Sequence, residues 1–148
     1  MNAVKLRPFV PSGEDYSLAQ SFFEDLGFEK VYSDNGISIF RKGEAEFFLQ
    51  HFHNREFQDN YMMELRVDNL DEWWSYLQSS GLEKKYPVKI NPPKQYPWGS
   101  REIHLIDPAG VCWHISEAAK TGAVAARETK QPAKPGPSPS PSPDPMAL

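Results

Sequence analysis

The sequence holds a single cysteine, Cys112, in 148 residues. One thiol excludes an internal disulfide framework and fits a reducing compartment, so a cytoplasmic setting is expected. No stretch approaches the roughly 18 consecutive apolar residues that a membrane span requires. The N-terminus MNAVKLRPFV has neither a long apolar run nor a small-residue cleavage site, so no signal peptide is expected. A phosphate-cradling glycine loop and a paired-carboxylate signature are both missing. Basic charge is scarce in the body of the chain. Residues 1–117 carry 12 Lys/Arg against 18 Asp/Glu, whereas residues 118–148 carry 4 against 2. An acidic body argues against nucleic acid, whose binding rests on neutralised phosphates. It favours a cationic small molecule or partner.

Apolar residues make up 39% of the chain and aromatics 13%, enough for one real core. The end of the chain is different. The segment KQPAKPGPSPSPSPDPMAL alternates Pro with Ser and holds half of the chain's 14 prolines. Such a composition builds neither a ladder nor a core, so residues 118–148 are expected to form an extended, mobile tail. A domain over residues 1–117 remains.

That domain repeats itself. GFEKVY at Gly27–Tyr32 returns as GLEKKY at Gly81–Tyr86. Ahead of the first string, Ala19, Phe22, Phe23 and Leu26 form an apolar stripe with helical spacing. Ser12 and Asp15 offer capping oxygens, and Gly27 is placed to end the helix. Ahead of the second string, Leu70, Trp73, Trp74 and Leu77 repeat the stripe. Asn69 and Glu72 resemble a capping box, and Gly81 is the stop. A strand precedes each helix (VKLRPFV, YMMELRV) and three follow: EKVYS, ISIFRK and AEFFLQHF, then EKKYPVKI, SREIHLI and VCWHISE. The expected fold class is therefore α+β. Two tandem βαβββ modules, at about residues 3–54 and 60–117, form a curved mixed sheet around a cleft, with helices on its outer face.

Strand alternation sorts the faces. Met63, Leu65 and Val67 oppose Met62, Glu64 and Arg66. Ile103 and Leu105 oppose Glu102 and His104. Val111, Trp113 and Ile115 oppose Cys112 and His114. The first sets should pack under the helices. The second sets mix polar, aromatic and sulfur-bearing groups and read as the lining of a cleft.

The string YPWGSREIHLIDPAGVCWHISE at Tyr96–Glu117 resembles the end of a bleomycin resistance protein. That family lies within the superfamily of glyoxalase I, bleomycin resistance proteins and extradiol dioxygenases, whose members are built from two βαβββ modules. The resemblance runs over about residues 3–117. Enzymes of the superfamily hold a divalent metal at four positions. Carried onto this chain, these fall at Pro8 (or Arg7), Gln50, Met62 and His114. Proline has no donor, arginine is a fixed cation, and a thioether suits soft ions. Gln50 and His114 alone make a poor site, so no metal and no cofactor are expected at this location. His104 and His114 come close across neighbouring strands if both face the cleft, and His51 and His53 share a strand side opposite Gln50. For all four, an ordinary polar or hydrogen-bonded role is the simpler reading.

The resemblance implies a homodimer that sequesters its drug unaltered in crevices shared by two subunits. It also implies exchange of the first strand about a proline hinge, here Pro8. Bleomycin-type glycopeptides join flat heteroaromatic rings to a cationic tail. The PWG motif places Trp98 as an aromatic wall. Phe48 and Phe52 share Gln50's side of their strand and extend that wall; Phe40 is a weaker candidate. Tyr61 is expected at the rim. Glu64 and Glu102 are the carboxylates for a cation, with Arg66 and Arg101 as competing charges. Met62, His104, Cys112 and His114 complete the lining. The expected partners are a flat cationic small molecule and a second copy of the chain, with no nucleic acid and no membrane. A metal-dependent glyoxalase-like lyase, isomerase or dioxygenase is the alternative. A regulatory protein that recruits through its tail is a third reading.

Overall fold

A computed structural model describes residues 1–118. The Pro/Ser-rich tail expected at 118–148 therefore lies, apart from Ala118, outside the described residues. The first module runs β1 (Phe9–Pro11), α1 (Tyr16–Leu26), β2 (Glu29–Ser33), β3 (Ile37–Lys42) and β4 (Ala45–Gln50). A short helix, α2 (Arg55–Asp59), leads into the second module. That module runs β5 (Met62–Val67), α3 (Leu70–Ser80), α4 (Leu82–Lys85), β6 (Lys89–Gln95), β7 (Arg101–Ile106) and β8 (Cys112–Glu117). Each module builds one four-stranded mixed sheet, in the order β1-β4-β3-β2 and β5-β8-β7-β6. In both, the first strand runs parallel to the last, and the remaining pairs are antiparallel. The two halves share one topology, as a tandem duplication requires.

The caps follow the sequence with one change. Asp15 caps α1 through a hydrogen bond accepted from Leu18 N. Ser12 takes no part in that cap; its hydroxyl donates to Gly13 O. Asn69 caps α3 by accepting from Glu72 N at 3.0 Å. Gly27 and Gly81 end their helices in the left-handed region, with φ of 115° and 74°.

Three expected features differ. The strand expected over VKLRPFV shrinks to Phe9–Pro11, since Pro8 has no N–H with which to continue the ladder. EKKY does not copy the strand EKVYS: Leu82–Lys85 coil into α4, and the strand starts only at Lys89. Leu82 is buried, and the amides of Lys84 and Lys85 both reach back to Gly81 O. One added turn buries Leu82 without a strand partner. NREFQDN is also not a loop. Asn54 caps α2 by accepting from Phe57 N. Gln58, fully buried, accepts from Asn54 N at 2.8 Å and donates to Ala109 O at 2.9 Å. That pair of bonds ties the connection between modules to the turn before β8.

The core is one continuous aromatic and aliphatic cluster. Trp113 on β8 lies 5.4 Å from Phe23 of α1 and 5.3 Å from Phe47 of β4. Its indole N–H donates to Asp107 Oδ2 at 2.9 Å. Asp107 Oδ1 accepts from the amides of Ala109 and Val111, which shapes the Asp-Pro turn. Burial pushes the Asp107 carboxyl up to about 6, against the pull of these donors. Phe40 is fully buried and stacked on Phe47, so it belongs to this core and not to a ligand wall. Because the core faces of the two sheets meet through Trp113 and Phe47, their opposite faces point away from each other within one chain. Those opposite faces carry the candidate site residues.

Candidate functional site

Pairing between strands brings the polar set of the second sheet together. His104 sits directly opposite His114, and Glu102 opposite Ser116. On the other side of β8, Met62 lies beside Cys112 and Glu64 beside His114. Residues on one face of adjacent strands are close enough for their side chains to interact. Here Glu102 is the centre. It is fully buried, and among the described residues three donors converge on it. Its Oε1 accepts from His104 Nε2 at 2.9 Å and from His114 Nδ1 at 3.1 Å. Its Oε2 accepts from Trp98 Nε1 at 2.9 Å. Burial of a carboxylate demands such partners. Hydrogen bonds with Cys112 and then Glu102 push His114 up to about 9, although burial opposes the charge.

A ladder of rings grows from this centre. Trp98 stacks on Tyr96 at 4.8 Å and 9°, and Tyr96 stacks on His104 at 4.7 Å and 14°. His104 then meets His114 at 4.3 Å with the rings tilted by 58°. The turn between β6 and β7 sets the ladder's outer end. Tyr96 N donates to Ser100 O, Gly99 N donates to Tyr96 O, and Gly99 has φ of 97°, which favours glycine. YPWGS is thus a turn that presents two aromatic rings. Lys94 Nζ lies 5.4 Å from the Tyr96 ring.

Two expected carboxylates part company. Glu102 is consumed inside the cluster and is not a surface charge. Glu64 is exposed and accepts from the Ser116 hydroxyl at 2.9 Å. Arg101 neutralises neither, since it bonds Asp71 at 3.0 Å and Glu117 at 2.6 Å. Arg66 is exposed and donates to Glu117 O at 3.5 Å.

The first sheet carries a second group. Phe48 stacks on Phe9 at 4.5 Å and 18°, and the Arg7 guanidinium lies 4.4 Å from the Phe48 ring centre. Arg7, Lys5 and Arg41 all reach Glu46, at 2.8, 3.0 and 3.1 Å. Lys5 and Arg41, then Arg7, hold the Glu46 carboxyl down at about 2. Pro8 enters β1 with its carbonyl accepting from Phe48 N at 2.9 Å, so within the chain β1 lies beside its own β4. Gln50 is exposed at the strand end, opposite Pro11.

Phe52 and Tyr61 form a third group. Phe57 of α2 lies 6.3 Å from Phe52 and stacks on Tyr61 at 5.0 Å. These rings mark the junction of the modules. Burial raises the Tyr61 hydroxyl above its ordinary range. His51 is stacked on Tyr16 at 4.6 Å, and His53 lies 3.6 Å from Glu14, so neither joins the ladder.

The structure therefore splits the sequence candidates into three clusters. Tyr96 and Phe9 were not among them. Tyr96 had a signal, since it shares parity with Trp98 in the same turn. Phe9 had one too, as an aromatic next to the proline of an edge strand. The four positions used for metal by the superfamily's enzymes do not fit a hard or borderline cation here. Pro8 offers no donor, Arg7 is committed to Glu46 and Phe48, and Met62 is an exposed thioether.

No protein-family model matches the chain. Among curated proteins, a bleomycin resistance protein of Klebsiella pneumoniae is 32% identical over 108 residues, which span 70% of this chain and 83% of that protein. Among solved structures, a bleomycin-binding protein crystallised with bleomycin superposes with a TM-score of 0.69 at 24% identity, covering 79% of this chain and all of the other. A bleomycin resistance determinant encoded on the transposon Tn5 gives 0.64 at 28% identity, covering 78% and 98%. With two βαβββ modules, the PWG ring ladder and a curated relative matched over most of its length, this chain belongs to the bleomycin resistance protein family.

Proposed function

We propose that the chain binds a bleomycin-type glycopeptide, a flat heteroaromatic molecule with a cationic tail, and sequesters it without chemical change. The observation that carries this reading is the Trp98–Tyr96–His104 stack on an open sheet face. Its support comes from the family, and from a similar fold crystallised with the drug. Flat rings gain about 0.5–1.5 kcal/mol per aromatic contact beyond area burial. Glu64 is the carboxylate for the cationic tail, and Met62, Arg66, His104, Cys112 and His114 floor the same face.

The open faces of the two sheets diverge within one chain, so a crevice walled by both needs a second copy. We infer a homodimer in which Trp98 and Glu64 of one subunit face Phe48, Gln50, Phe52 and Tyr61 of the other. Pro8 is then the hinge about which β1 exchanges. Residues 1–117 form the binding unit and 118–148 an appendage that binding does not need. Among the described residues no helix is long and apolar enough to cross a membrane.

Calorimetric titration with metal-free bleomycin tests the reading. Binding at micromolar drug, weakened about tenfold or more by Trp98→Ala, is expected. An intact fold with no heat at micromolar drug removes bleomycin as the ligand. Undiminished affinity in the Trp98 variant removes the ladder as the site.

A further inference from the structure

We propose that Glu102, His104 and His114 form a binding site for one divalent transition cation of the zinc type, with a ligand set that differs from the superfamily's in all but His114. One ligand atom from each residue lies within 4.8 Å of the other two. The two nitrogen-to-oxygen edges are 2.9 and 3.1 Å. A zinc ion held at about 2.0–2.1 Å by each donor needs edges of about 3.3 Å. These two edges need only open by a few tenths of an ångström, and the nitrogen–nitrogen edge, within 4.8 Å, must come to a similar length.

The donors stand on paired strands, not on loops. His104 and His114 are register partners, and Glu102 is two residues along the same face of β7. Outer contacts already orient two of the three. Trp98 Nε1 fixes the second carboxylate oxygen, and the Tyr96 hydroxyl lies 3.3 Å from His104 Nδ1. Metal-binding imidazoles and carboxylates are commonly fixed by such partners. When the cation takes His104 Nε2, the proton there moves to Nδ1, where the Tyr96 oxygen accepts it, and the proton on His114 Nδ1 is released to solvent as the cation replaces it. Glu102 and His114 are buried while His104 is only half-buried, so the open coordination position faces solvent along the ladder. Two imidazoles and one carboxylate suit zinc, copper or nickel and disfavour magnesium and calcium. Only His114 is shared with the superfamily's set. Gln50 lies on the other sheet and has no part in this one.

The inference does not rest on drug binding. The full chain, stripped with chelator and dialysed, is titrated with zinc alone and the bound ion counted by elemental analysis. One ion per chain at micromolar zinc is expected, and cobalt in its place should give visible bands of a four-coordinate centre. His104→Ala should weaken zinc binding about 100-fold, and Tyr96→Phe about tenfold. Gln50→Ala and His53→Ala should leave it unchanged. Should the His104→Ala fold be disturbed by circular dichroism, His104→Phe keeps the stack on Tyr96 and removes the ligand. Less than about 0.2 ion per chain, uptake indifferent to both His104 variants, or loss of uptake in Gln50→Ala overturns the site. Zinc uptake with no response to metal-free bleomycin would sink the drug reading and leave this one standing.

Discussion

Replacing Glu102 by leucine should cost the protein a large share of its stability, and replacing it by glutamine much less. The carboxylate is fully buried and receives Trp98 Nε1, His104 Nε2 and His114 Nδ1. Leucine leaves all three donors facing a methyl group. Water can still reach the half-buried Trp98 and His104, but not the buried His114. Breaking a buried charged pair by removing one partner costs about 3–5 kcal/mol. The leucine's own burial offsets about 1 kcal/mol. A net loss of about 3 kcal/mol is expected, against a total of about 5–15 kcal/mol for a typical domain. Glutamine keeps the shape. Its oxygen can serve Trp98 while its amide N–H groups donate to neutral imidazoles, for a loss of about 1–2 kcal/mol. Urea unfolding followed by far-ultraviolet circular dichroism, with chelator present, measures both. Leucine within 1 kcal/mol of wild type, or glutamine as costly as leucine, would refute the claim that Glu102 is the hub of this face.

Other outcomes follow from single contacts. Phe48→Ala should weaken bleomycin binding by roughly three- to tenfold in calorimetry, since its half-buried ring, stacked on Phe9, lies on the open face of the first sheet. Glu46 has its carboxyl held at about 2, against an ordinary value of 4.5. Its ion pairs therefore contribute stability that is complete above pH 4.5 and lost as the pH falls through about 2. Acid unfolding of Glu46→Gln should lack that component of the pH dependence between 4.5 and 2. Gly13→Ala should cost about 2–3 kcal/mol in urea and Gly81→Ala about 1 kcal/mol. Both have positive φ, but a Cβ at Gly13 would meet Ala109 Cβ at 3.0 Å and its Cα at 3.2 Å, whereas one at Gly81 meets nothing within 4 Å.

The helices and the facing of strands could be read from the sequence because each depends on local spacing. Phe22 and Phe23 are buried, and Met62 and Glu64 are open, as their periods dictate. The repeat GFEKVY/GLEKKY was a true guide to duplication and a poor guide to local form. Its second copy coils into α4 because Leu82 finds the core from a helical turn, and no short pattern records that. Parity placed Glu102 on the open face but could not say that Trp98 and two histidines would close over it. That closure depends on the register of three strands and on one turn. Phe40 shows the same limit in reverse, since its place in the core is fixed by Phe47 and Phe23 and by nothing adjacent in the chain. That the candidates fall into three groups rather than one is a matter of how the two sheets pack.

Trp113 has a consequence for biosynthesis. It comes late in the chain, yet it supplies the ring against which Phe23, Phe28 and Phe47 pack. While the polypeptide is being made, those phenylalanines emerge long before the indole that covers them. They already pack on one another within the first half, so the indole covers a cluster that is partly formed. Until it is in place one side of that ring cluster stays uncovered, so the first half alone exposes apolar surface that the whole domain hides.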